Sequence, residues 1–444
     1  MELKFKRFIF LLLTAFFCCN AATALVQAQD QNLKGLWHVY GVEEKGTLFF
    51  LIYDGEQSRV YDPDWKRVET SLQIEGDTLR FELPQVHYRH KVEARFKDGA
   101  LTGTYLRPHP QYPWKGKMQS HRVTNDPDWD PWSFLTEARG SVINPWPQIL
   151  KEAPTTDLAA FRDYWTENIE PRYYALFTHS LYANASTFFL PQIRTQAIEQ
   201  LYAIISQERD EIEPLVEDFK SQVSEVFADL KEQYSWMRIP GIVFPLLQEE
   251  TYDFTVRVVN VQSSNSRPFL IFNAKWMAEN LSGPQTRYLL AQGMLEFEHE
   301  SRHGIANFLR NAVARRGIVA YLASKLDYSD SPVDYLFQPQ GASEEDLNAA
   351  FARFMQTFAQ NFNMHVNRVD FHPFRDENRA SAYLFAYGFA VKMSDRFSDE
   401  QLALEFDYER LPKEMAAYAQ GLKARPAVAK PAENTASQPG RGAK

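Results

Sequence analysis

The hydrophobic period of this chain shifts from strand-like to mainly helical near its first third, and that shift limits its fold more than any other feature. Between residues 30 and 124 the apolar residues come in short runs: Thr47–Tyr53, Thr70–Ile74, Leu79–Leu83, Lys91–Phe96 and Leu101–Tyr105. Turn sequences separate them, among them Asp54-Gly55, Glu75-Gly76-Asp77 and Lys97-Asp98-Gly99. Short, evenly spaced runs of this kind predict a small antiparallel barrel or sandwich. From Thr156 the spacing is helical instead, as in Leu215, Phe219, Val223, Phe227 and Leu230, with acidic residues between them. Residues 125–154 form an irregular, proline-containing connector, and its Trp129, Trp132 and Trp146 predict that it packs against a domain. The fold class is therefore α+β, with a β-rich domain over 30–124 and a mainly helical domain over 155–422.

Within the helical part, helices are expected over Asp157–Asn168 and Tyr173–Tyr182, and one or two long ones from Pro191 to about Tyr234. Two strands interrupt them, Phe254–Val261 and Pro268–Asn273, so a short sheet belongs to this domain. A helix then starts at the cap Ser282 and the pair Gly283-Pro284, and is expected to run to Arg316, with Gly317 as a break and Ile318–Leu326 as a further short piece. Ser343–Phe362 is expected as a helix capped by Ser343 and Asp346, and Asp376–Arg396 as the last strong one. Residues 423–444 are Ala, Pro, Lys, Arg and Gly with almost nothing to bury, which predicts disorder.

The beginning of the chain reads as a secretory signal. Lys4, Lys6 and Arg7 precede an apolar run from Phe8 to Phe17, then small residues, with cleavage expected after Ala24 or Ala28. The protein is thus expected in the periplasm or outside the cell, with no transmembrane helix after processing. Both cysteines, Cys18 and Cys19, fall in this segment, which leaves the mature chain without a thiol nucleophile or thiolate metal ligands. Removing residues 1–28 takes away three basic residues and one acidic one, so the net charge moves from −9 to −11. An acidic balance argues against nucleic acid as a partner. No Gly-x-Ser-x-Gly elbow, phosphate-cradling Gly-rich loop or dinucleotide fingerprint occurs.

One motif carries chemistry. His299-Glu300-Ser301-Arg302-His303 matches H-E-x-x-H within the expected helix. Two histidines four residues apart share one helix face and can grip one Zn²⁺, while the intervening glutamate can deprotonate a metal-bound water. The bland alternative is a helix with two exposed or two satisfied core histidines.

Taken together, residues 156–400 resemble predicted bacterial zinc proteases of the gluzincin class. The similar features are the paired strands, the PFLIFNAKW segment, the H-E-x-x-H helix, a small-residue helix after it and the late Tyr-x-x-x-Tyr-Gly helix. The resemblance implies a zincin-like helical domain that hydrolyses peptide or protein substrates, with His299 and His303 as zinc ligands and Glu300 as general base. It also implies a third ligand from a Glu-Gly-x-Ala type segment, and here the comparable stretch is Arg315-Arg316-Gly317-Ile318-Val319-Ala320, with arginine in place of that glutamate. An arginine cannot bind zinc. A third ligand must then come from Asp327, Glu344, Glu345, His365, His372 or Glu377, with His372 and Glu377 favoured by their setting in HPFRDENR. Tyr383 and Tyr387, four apart on one face, could stabilise an oxyanion or be core aromatics. Absent a third ligand, the chain would be a non-catalytic relative that binds a peptide, lipid or partner. In the β domain, Gly35-Leu36-Trp37 followed by hairpins resembles lipocalin-like barrels, whose interior is either a ligand cup or a packed accessory core.

Overall fold

The computed structural model describes residues 33–42, 47–63, 65–75, 77–84, 89–97, 99–107, 114–137, 142–182, 191–238, 242–249, 253–260, 266–303, 308–337, 343–365, 373–374, 378–404 and 410–423. The expected signal segment, His372, Glu377 and residues 424–444 lie outside them. Among the described residues no helix is long and apolar enough to cross a membrane.

The chain divides into two compact units. The first takes Met1–Ser221, Ile239–Glu250 and Phe254–Glu279, and the second takes Gln222–Arg238, Thr251–Asp253 and Asn280–Lys444.

In the first unit the β region forms one curled antiparallel sheet. Its strands are β1 Gly35–Gly41, β2 Thr47–Tyr53, β3 Ser58–Tyr61, β4 Arg67–Val68, β5 Gln73–Glu75, β6 Thr78–Pro84, β7 Arg89–Lys97, β8 Ala100–Arg107 and β9 Trp114–Thr124, in the order β4-β3-β2-β1-β9-β8-β7-β6-β5. Every neighbour is a chain neighbour except β1 and β9, which join the two halves of the meander. Strands β4 and β5 are consecutive in the chain yet stand at opposite edges, so the sheet curls into a half-barrel. Strand β9 is the longest and largely alternates buried with exposed residues, but its lysines leave no apolar run in the sequence. The inside of the curl is filled by Trp37, Phe49, Leu51, Phe81, Val92, Tyr105 and Met118. These described residues form one packed apolar cluster.

The connector does pack. Trp129 Nε1 donates to the Pro171 carbonyl at 2.6 Å and Trp146 Nε1 to that of Pro245 at 2.6 Å, and all three tryptophans are buried. The two helices expected over 157–182 are joined end to end. Asp157 caps Leu158–Tyr164, a π-helical turn Trp165–Ile169 follows, and Glu170–Phe177 continues from it. Pro191–Gln207 and Arg209–Gln233 are separate helices. A three-stranded sheet completes the unit: β12 Ser266–Asn273 lies between β11 Phe254–Asn260, antiparallel, and β10 Ile242–Leu246, parallel. Strand β10, IVFPL, is too short and too uniformly buried to show any period.

The second unit holds the motif helix Gly283–His303, the facing helix Leu309–Ala323, Glu344–Asn361, Arg379–Ser394 and Leu411–Lys423. The Ser343 cap is confirmed, its side chain accepting from the Asp346 amide at 3.1 Å. Two expectations are corrected. The motif helix spans Gly283–His303, and Phe308 is extended ahead of a separate helix Leu309–Ala323, so no single helix runs on to Arg316. Gly317 breaks nothing and lies inside the facing helix. A Cβ there would sit 2.0 Å from the Ala386 carbonyl oxygen, so the glycine is required by close approach of the helix Arg379–Ser394.

Candidate functional site

The motif helix is locally well specified. Ser282 and Gln285 form a reciprocal capping box: the Ser282 amide donates to Gln285 Oε1 at 2.9 Å, and the Gln285 amide to Ser282 Oγ at 3.5 Å. Every residue from Tyr288 to Glu300 is buried. The stretch therefore takes Glu296, Glu298, His299 and Glu300 out of water along with Leu289, Leu290, Met294 and Phe297. Buried carboxylates must be paired or neutralised, because an isolated charge in a low-dielectric interior costs many kcal/mol.

Each carboxylate meets a guanidinium. Glu298 is paired with Arg302 one turn on, at 2.7 Å. Glu300 lies 2.7 Å from Arg315 Nη1. Glu296 takes two arginines, Arg315 Nη2 at 2.7 Å and Arg316 Nε at 2.5 Å. Arg316 also faces Asp253 Oδ2 at 3.2 Å and donates from Nη1 to the Tyr383 hydroxyl at 3.1 Å. Tyr383 in turn donates to Asp253 Oδ2 at 3.3 Å, and the Arg316 guanidinium lies over the Phe374 ring. Asp253, Glu296, Glu300, Arg315, Arg316 and Tyr383 are all buried, Arg316 the most exposed of them at 9%. Burial works against the charge on Arg316, but Asp253 and Glu296 outweigh it and raise its pKa. Burial first, then Asp253, raises the pKa of the Tyr383 phenol, which stays neutral.

This geometry places the expected residues unevenly. His299, 2% exposed, and Glu300 stand on the buried face. His303 is the last residue of the helix, and its side chain lies outside the described residues. Arg316 is buried at the expected third-ligand position, ion-paired instead of open to a metal. Tyr383 joins the network, whereas Tyr387, one turn on, packs on Tyr335 and Tyr321 near Ser324. His365 pairs with Phe308 in a single antiparallel bridge, Asp327 ends a 3₁₀ turn, and Glu345 is exposed. Glu296, Arg315 and Asp253 were not singled out from the sequence. Glu296 and Arg315 did leave a signal, an acidic residue one turn before the motif glutamate and a double arginine in a small-residue run. Asp253 left none.

A zinc ion held by His299 and His303, with Glu300 as base, needs a third donor and an unengaged carboxylate. The side chain of His303 and the favoured third-donor candidates, His372 and Glu377, lie outside the described residues. The Glu300 carboxylate is bound to Arg315, the next helix offers Arg316, and no group of three His, Cys, Asp or Glu side chains converges on one point among the described residues. No protein-family model, curated protein or solved structure matches this chain.

Proposed function

We propose that this chain is a non-catalytic relative of the zinc peptidases, exported and acting as a binding or scaffold protein. The reading rests on one observation: the catalytic-type carboxylate Glu300 lies in a buried ion pair with Arg315, beside Arg316 at the position where a third ligand would be needed. Two guanidinium groups, Arg315 and Arg316, stand against three buried carboxylates, Asp253, Glu296 and Glu300. In this role the H-E-x-x-H helix is a structural member, and Glu300 contributes to stability.

The test separates stability from catalysis. Purified mature protein supplied with zinc is expected to retain none and to leave a peptide library intact. Glu300→Gln is expected to lower unfolding stability by about 1–3 kcal/mol, because Arg315 loses a charged partner in a buried site. The opposite set of results would replace this reading with a zinc peptidase: one zinc per chain, lost in His303→Ala, and cleavage abolished in a Glu300→Gln variant of unchanged stability.

A further inference from the structure

A second buried cluster lies in the other unit, on the face of the half-barrel opposite its core. Strands β1 and β9 pair so that His38 and His121 stand directly across from each other, and Phe50 of β2 continues the row. Covering them is Tyr174 of the helix Glu170–Phe177, fully buried. Its hydroxyl lies 2.6 Å from His38 Nδ1 and 2.9 Å from His121 Nε2. The other His38 nitrogen, Nε2, meets Thr47 Oγ1 at 2.9 Å. Trp65 stacks on Phe50 with ring centres 3.8 Å apart and donates to Thr178 just past the helix, which closes the seam.

Hydrogen-bond accounting shows what this arrangement tolerates. A phenol can donate one proton to one imidazole while accepting from the N–H of the other, so two neutral rings satisfy the cluster. With both rings protonated, every ring nitrogen is a donor and the Tyr174 O–H loses its acceptor. The charges are no better placed. Arg194 of the helix Pro191–Gln207 already stands nearby, and Glu170, one turn before Tyr174, is held by it through two hydrogen bonds. Tyr40 on β1 also lies against both rings, and Tyr182 beyond the helix lies against Tyr174. Consistent with this, both imidazoles are held well below their usual range, first by burial. For His38 the charges of His121 and then Arg194 add to it, and for His121 that of Arg194.

We infer that His38, His121 and Tyr174 form an acid-opened latch, in which protonation of the facing imidazoles parts the helix Glu170–Phe177 from strands β1 and β9. Above pH 6.5 both rings are neutral and the latch is closed. Below it, each imidazole that gains its proton only in the open state favours opening tenfold per pH unit, a hundredfold for the pair.

Hydrogen exchange of the full chain between pH 7.5 and 5, corrected for intrinsic rates, reads this directly. Protection in peptides covering 35–41 and 170–177 is expected to fall by tenfold or more per pH unit below 6.5. Doubly substituted His38→Gln, His121→Gln protein is expected to lose that dependence. Protection in both segments that does not change with pH would overturn the latch, as would full pH dependence in the double variant. If that variant does not fold, histidine ring-proton titration of the wild-type protein decides. Rings that titrate near 6.5 while the helix stays protected would overturn the proposal, and rings that stay neutral until the helix opens would support it.

Discussion

Two buried polar clusters of this protein solve the same problem in opposite ways. Around Tyr174 the half-barrel unit keeps two titratable rings neutral and lets one phenol serve both. Around Arg316 the second unit sets ionisable groups against one another, guanidinium against carboxylate. A neutral cluster costs little to bury but is vulnerable to a proton. An ion-pair cluster resists ordinary pH change, yet losing one member strands a charge in a dry interior. On the reading proposed above, the acidic residues of the H-E-x-x-H helix serve as partners to the arginines that face them.

The sharpest break of this comparison is Arg316→Met, which leaves Glu296 and Asp253 short of a cation while nearly preserving volume. It is expected to cost about 3–5 kcal/mol in urea unfolding, and a loss below 1 kcal/mol would mean that the network is not stabilising. Next comes acidification. Unfolded histidine titrates near 6.5 and the folded rings lower, so the unfolded state binds more protons below pH 6.5. Stability from this source is fully present above that pH and drains as pH falls, by about 1.4 kcal/mol per unit for each ring. Unfolding midpoints measured from pH 7.5 to 5 should show that slope, and His38→Gln, His121→Gln should flatten it. Gly317→Ala tests how tightly the ionic cluster is framed. Its methyl group would meet the Ala386 backbone, and a loss of about 1–3 kcal/mol is expected from overpacking. The smallest effect should come from Ser343→Ala, about 1 kcal/mol for a lost cap. A larger loss there would show that the cap does more than end a helix.

How far the sequence reached depended on the range of the interaction. Strand β2 was legible to the residue, and the expected strands in the β6, β7 and β8 regions lay inside the observed ones, because alternation and turn residues act over a few positions. The helix caps Ser282 and Ser343 were legible for the same reason. The third-ligand substitution was visible as Arg316, and its burial partner as little more than a neighbouring arginine. Gly317 was misjudged because glycine in a helical run has two meanings, an end or a close contact, and only the approaching Ala386 distinguishes them.

By itself, then, the sequence determined the change from a two-residue to a helical period, the elements on either side of it, and the placement of His299, Glu300 and His303 on one helix. Local propensity, capping and hydrophobic spacing are short-range forces, and they can be summed along the chain. Tertiary structure alone decided that β9 closes on β1, that His38 and His121 meet across that seam, and that Asp253 reaches Arg316 across 63 residues of sequence. These pairings are chosen by the packing of whole elements, where the cost of burying a charge or an imidazole must be met by whichever partner the fold delivers.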